Sequence, residues 1–137
     1  MWKYNNIICF DTSLSLIYKT HTIDTTNTYQ IETGSIGTPT EKVYTNIMPS
    51  RIVNWESDVS EGKLYINSWM KADNESLPQF NNHSVIDVYD IITGAYQKSF
   101  YIPFFKGEKM ESFKVYKNEV IVVYKNYIAV YSHSKGS

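Results

Sequence analysis

Cysteine is almost missing: Cys9 is the only one in the chain, so no disulfide can form within it and stability must come from packing and backbone pairing. Long apolar runs are missing as well. None approaches the roughly 20 residues of a membrane-spanning helix, and the N-terminus has no basic segment followed by an apolar one, so neither a membrane span nor a secretion leader is expected. There is no block of like charge. Thirteen basic against fourteen acidic side chains leave a formal charge of -1, which offers nothing to hold a phosphate backbone and excludes nucleic acid as an expected partner. Ala and Leu, the strongest helix formers, are scarce. The patterns that carry common chemistry are also absent: no GxSxG elbow, no Gly-rich phosphate loop, and three histidines, His21, His83 and His133, in no HxH or HExxH spacing. Hydrolase, nucleotide and metal chemistry therefore have no support in the sequence, and no cofactor is expected.

What is present favours strands. Twelve Tyr, six Phe and three Trp make the chain 15% aromatic, and they sit among many Ile, Val and Thr, the residues that fit a pleated, half-buried surface. The 137 residues are enough for one ordinary core. Cys9, inside the run Ile7-Ile8-Cys9-Phe10 with no cation nearby, reads as a small buried hydrophobe rather than a reactive thiol.

Taken in order, NNIICFD and LSLIYKTHTID, joined at Thr12-Ser13, predict a first hairpin. Residues 25–50, rich in Thr, Gly, Ser and Asn, predict a long loop with at most one short strand near Lys42 to Asn46; it is read as an insertion in preference to a binding loop. RIVNWESD and KLYINSWM predict a second hairpin, with Leu64, Ile66 and Ser68 on one face and Tyr65, Asn67 and Trp69 on the other. Residues 71–84, polar and containing Pro78, predict another loop that includes His83. Then VIDVYDIITGAYQKSFYIP, from Val85 to Pro103, alternates, turns at Thr93-Gly94 and resumes. ESFKVYKN, EVIVVY and YIAVYSH predict three more strands with tight turns at Lys117-Asn118 and Lys125-Asn126.

The pieces overlay. Asp87-Val88-Tyr89-Asp90 matches Ala129-Val130-Tyr131-Ser132 at a spacing of 42 residues and Ile8-Cys9-Phe10-Asp11 at 79. A period near 42 lies in the range of four-stranded propeller blades. The expected fold is thus all-β, with antiparallel four-stranded propeller-type blades: part of a blade over residues 4–24, a full blade over 51–103 and a partial blade over 110–133. That is about two and a half blades, whereas a closed propeller uses about four to eight. The chain is then a piece of a longer protein, or copies self-associate into a ring, or the strands close into a small β-sandwich or barrel.

The run IDVYDIITGAYQKSFYIP followed by SFKVYKNEVIVVYKNYIAVY resembles the C-terminal end of six-bladed β-propellers of the NHL and TolB-like type, and is similar to uncharacterised exported propellers of Bacteroidota. CFDTSLSLIYKTHTIDT resembles an earlier blade of the same proteins. The resemblance implies a propeller and an exported location. A complete member would be more than twice as long.

Few residues stand out as candidates. Asp11 and Asp90 each end a strand before a turn, where a carboxylate accepts turn N–H groups, and Asp87 and Asp90 are read with Gly94 as anchors of turn geometry rather than as acid–base residues. Trp55 and Trp69 could form an aromatic platform for a glycan or peptide, or fill the space between sheets; packing is the favoured reading. The function expected is a non-catalytic binding or scaffold module with a protein or glycan partner. The alternative is part of a propeller enzyme or of a sugar- or peptide-binding propeller whose site needs further blades.

Overall fold

A computed structural model describes residues 5–24, 33–46, 52–71 and 75–132. In chain order these form β1 (Asn6–Phe10), β2 (Leu16–His21), β3 (Thr33–Thr38), β4 (Glu41–Asn46), β5 (Asn54–Ser60), β6 (Lys63–Ser68), α1 (Leu77–Asn82), β7 (His83–Asp90), β8 (Tyr96–Pro103), β9 (Ser112–Tyr116), β10 (Glu119–Val123) and β11 (Ile128–Ser132). The fold is all-β and its strand pairs are antiparallel. A central four-stranded sheet runs β5-β6-β7-β8, a three-stranded sheet runs β9-β10-β11, and β1-β2 and β3-β4 are separate hairpins.

Turn chemistry explains the meander. Glu61 and Gly62 (φ 47° and 73°) close β5 on β6 and Gly94 (φ 70°) closes β7 on β8, left-handed positions that glycine takes without a Cβ penalty. Asp90 Oδ1 accepts from the N–H groups of Ile92 and Thr93, both at 2.9 Å, and from Thr93 Oγ1 at 3.0 Å. Asp11 Oδ1 accepts from Ser13 and Ser15 N–H at 2.8 and 2.9 Å.

Other expectations need correction. The segment read as a loop over residues 25–50 contains the β3–β4 hairpin, whose Thr38-to-Glu41 turn carries Pro39. Residues 71–84 hold α1 and the start of β7, so His83 lies in a strand. Ser76 caps that helix: its Oγ accepts from Gln79 N–H, while Gln79 Oε1 accepts from Ser76 N–H, a capping box that also satisfies the N-terminal amides. Cys9 is half-buried and unbridged. Asp87 is not a turn anchor at all; it lies inside β7, 3% exposed.

The two faces of the central sheet are both covered, which is why the expected in-and-out alternation fails along β7, buried from Ser84 to Tyr89. On one face Tyr65, Ile86, Val88 and Ile102 share a core with Phe113, Val115, Val120, Val122 and Tyr124 of the three-stranded sheet and its flank. On the other, Ile66 and Tyr89 pack with Ile7, and Tyr18 packs beside them. Burying each such side chain stabilises by roughly 1.5–3 kcal/mol.

Polar bonds fix how the sheets meet. Glu56 Oε2 accepts from Phe113 N–H at 3.1 Å and Asp58 Oδ2 from Val115 N–H at 2.7 Å, so two side chains of β5 bond the edge of β9 that β10 does not use. Lys114 Nζ adds a bond to Asp58 Oδ1 at 3.1 Å. Burial alone would raise the Asp58 pKa, but the Val115 N–H, the Lys114 ammonium and the Val59 N–H outweigh it and hold the carboxyl below its usual value. A carboxylate depressed in this way contributes stability above its unfolded pKa and loses it as pH falls through the folded value. Asp58→Asn should therefore lower stability at pH 7 by about 1–2 kcal/mol. It should also flatten the acid limb of a melting-temperature profile taken from pH 5 down to 2, and an unchanged limb would contradict this role.

Candidate functional site

Trp55 and Trp69, the two residues expected to form an aromatic platform, are brought together. Trp69 follows β6, where its N–H donates to Val53 C=O at 2.8 Å, and Trp55 lies on the adjacent β5. Their rings stack with centroids 4.8 Å apart and planes 18° apart. Lys109 Nζ sits 3.8 Å from the Trp69 ring centroid. A cation that close cannot fit between rings 4.8 Å apart, so it covers the opposite face, and Trp69 is clamped between an indole and an ammonium. Trp55 Nε1–H donates to Glu111 C=O at 3.3 Å, and Trp69 Nε1–H to Asn67 Oδ1 at 3.0 Å. Asn67, almost fully buried, in turn donates from Nδ2 to Val85 C=O at 3.0 Å. Partial burial pushes the Lys109 amine below its usual pKa.

The cluster stands at the seam where the segment 109–111 leads into the three-stranded sheet. Of the two indoles, only Trp55 retains a face not taken up by the clamp. Chemically the arrangement can offer one half-buried ring and a nearby cation to a planar or sugar-like surface; it holds no nucleophile or paired acid and base. Lys109 lies 40 residues from Trp69, and nothing in the local sequence points to it.

On the other face of the central sheet lies Asp87. Ser99 Oγ donates to Asp87 Oδ1 at 2.5 Å and stands 2.9 Å from Tyr96 Oη; because the serine proton is committed to the carboxylate, Tyr96 donates to Ser99. Burial pushes the Asp87 pKa up to about 6, the Ser99 bond opposes this, and the Asp24 and Glu75 carboxylates reinforce it. Tyr89, one step along β7 on the same side, accepts from Ile23 N–H at 3.0 Å, and burial raises its phenol well above the ordinary value. The sequence did carry a signal here: a carboxylate in the middle of the apolar run Val85-Ile86-Asp87-Val88 must be satisfied locally or exposed.

Asp90 and Gly94 share one turn and Asp11 stands in another, between β1 and β2. His21 is exposed with Nδ1 donating to Thr22 C=O at 2.8 Å, His83 Nδ1 donates to Gln79 C=O at 3.0 Å, and His133 lies outside the described residues. Among the described residues no three His, Cys, Asp or Glu side chains converge on a possible metal position, and no helix is long and apolar enough to cross a membrane.

The fold and these clusters define an all-β protein of packed antiparallel sheets. Comparison with protein-family models, with curated proteins and with solved structures finds no match.

Proposed function

We propose that this chain is a non-catalytic binding or scaffold module built as part of a β-propeller. The observation that carries the reading is the burial of the four-stranded sheet on both faces, by β1-β2 on one side and β9-β10-β11 on the other. Propeller blades stack in this way, with each meander covered by the next. The side-by-side placement of β5 and β9, the first strands of their meanders, supports it further. So does the equivalence of position: Ile7, Ile86 and Ile128 precede matching segments, and Ile7 and Ile86 face the following sheet.

A scaffold that works through its sheets and loops needs the Trp pair as packing. Under this reading Trp69→Ala, which removes a half-buried ring, loses about 2–4 kcal/mol of stability, a little under the roughly 3–5 kcal/mol for a fully buried aromatic, and Trp55→Ala loses less because it is held from one side. Denaturant melts of both variants, run beside glycan-array and peptide-array binding of the parent chain, test it. The second reading, a sugar- or peptide-binding propeller, rests on the half-exposed Trp55 ring. It takes over if Trp55→Ala abolishes a bound glycan or peptide at an unchanged melting temperature. Light scattering tests the propeller architecture itself: a stable monomer with one cooperative melt would replace it with a small sandwich.

A further inference from the structure

Between β1 and the β5–β6 side of the central sheet runs a cavity of about 340 Å³, lined by Asn6, Ile7 and Ile8, by Leu64 and Ile66 at its floor, and by Asn54, Glu56 and Ser57 of β5. Successive side chains of a strand point to opposite faces, so three consecutive residues line one cavity only where the strand presents its edge. Hydrogen bonding agrees. Thr22 N–H donates to Asn5 C=O at 2.6 Å, and alternation along the ladder then bonds Ile7 and Cys9 to β2 while turning the N–H and C=O of Asn6 and Ile8 into the cavity. Among the described residues no strand pairs with that edge. Asn54 is 3% exposed, and its Oδ1 has no hydrogen-bond partner among the described residues. An apolar floor and an unpaired strand edge are together what an added β-strand would satisfy.

We propose that this cavity receives the β3–β4 hairpin of a second copy of the chain. The hairpin forms a two-stranded sheet of its own, with Ile36 opposite Val43 and these side chains 68% and 64% exposed. The parity of its backbone matches. Thr38 and Glu41 flank the two-residue turn as a hydrogen-bonded pair, which makes Ile36 and Val43 the next such pair and turns the backbone of positions 42 and 44 outward. Opposed residues in an antiparallel pair share a face. Pairing positions 42 and 44 with Asn6 and Ile8 therefore brings Val43 and Ile36 to the face of Ile7, directly over Leu64 and Ile66.

The exposed apolar edge of β11 fails the same test. Tyr124 N–H donates to Tyr127 C=O at 2.8 Å, so the open edge of β11 is formed by Ile128 and Val130. Pairing these antiparallel with Asn6 and Ile8 would turn Ala129 and Tyr131 toward Leu64, although both already pack against the sheet of their own chain. Within one chain the hairpin keeps its apolar pair in solvent. Reciprocal exchange between two copies makes the contact twice, which is how two arms of 12 residues each, six per strand, can approach the roughly 1,600 Å² of a stable interface.

The test uses the whole chain in a Cys9→Ser background. Chains carrying Ile36→Cys and chains carrying Leu64→Cys are mixed and mildly oxidised, with Ser57→Cys as the partner variant if Leu64→Cys lowers the melting temperature. A disulfide dimer containing one of each chain is expected, and light scattering of the unmodified chain should give twice its monomer mass. Val43→Asp should return the monomer mass. A bond formed only inside single chains that carry both substitutions, at high dilution, would overturn the exchange, as would no mixed dimer with either partner. If the chain assembles in light scattering yet gives no mixed dimer, this surface is wrong while the scaffold reading stands.

Discussion

Gly94→Ala should be among the most destabilising single-methyl changes available, at about 2–5 kcal/mol, from left-handed strain of about 1–2 kcal/mol and overpacking of about 1–3 kcal/mol. Gly94 adopts φ 70°, and a Cβ there would come within 2.6 Å of Thr20 Cγ2 and 2.8 Å of Tyr18 Cε2. These are side chains of β2, not of the turn itself. The 90–95 turn is the point where the central sheet meets the first hairpin, and Tyr18 Oη bonds Ile91 C=O there at 2.7 Å. Gly62 is the matched control: its φ is 73°, but nothing lies within 4 Å of the added methyl. Gly62→Ala should lose only the conformational part, about 1–2 kcal/mol. Urea melts give the two values, and amide exchange should show β1–β2 opening in Gly94→Ala alone. Equal losses in the two variants would remove the inter-sheet contact from the explanation.

Asp87→Asn should stabilise the chain above pH 7 by about 3 kcal/mol, since each unit of pKa displacement corresponds to about 1.4 kcal/mol. The folded pKa is pushed up to about 6 from 3.8. Between those values the folded chain holds a proton that the unfolded chain has released, so stability falls as pH rises through the window and stays lower above it. Asparagine keeps an acceptor for the Ser99 hydroxyl and removes the charge that Asp24 and Glu75 oppose. The difference between the parent and Asp87→Asn melts should therefore grow from about pH 4 to about pH 6 and then level off. A difference that is constant with pH would mean that Asp87 ionises as an ordinary surface carboxylate. Asp58 acts in the opposite sense at lower pH, so subtracting the two profiles isolates each group.

Much of the candidate chemistry was legible only in part. Trp55 and Trp69 could be placed on neighbouring strands from the alternation of KLYINSWM, but the Lys109 clamp that assigns one ring to packing could not, because the contact spans 40 residues. Ser76 and Gln79 spell a capping box, and that signal was outweighed by the polar, Pro-containing composition around it. The β3–β4 hairpin was hidden for a related reason. Its glycines, Gly34 and Gly37, have weak strand preference, and only the Ile36–Val43 pair marks its faces.

The sequence by itself determined the all-β class, the strands of the central and three-stranded sheets, and the aspartate and glycine turns, because each of these depends on hydrogen bonds and side-chain alternation between residues close along the chain. Tertiary structure alone decided which faces are buried. It set Glu56 and Asp58 against the amides of Phe113 and Val115, 57 residues away in each pair, enclosed Asp87 under the first hairpin, and left the edge of β1 beside an apolar cavity. Those outcomes depend on how separately formed sheets stack, and the free energy of that stacking comes from surfaces that no single stretch of the chain contains.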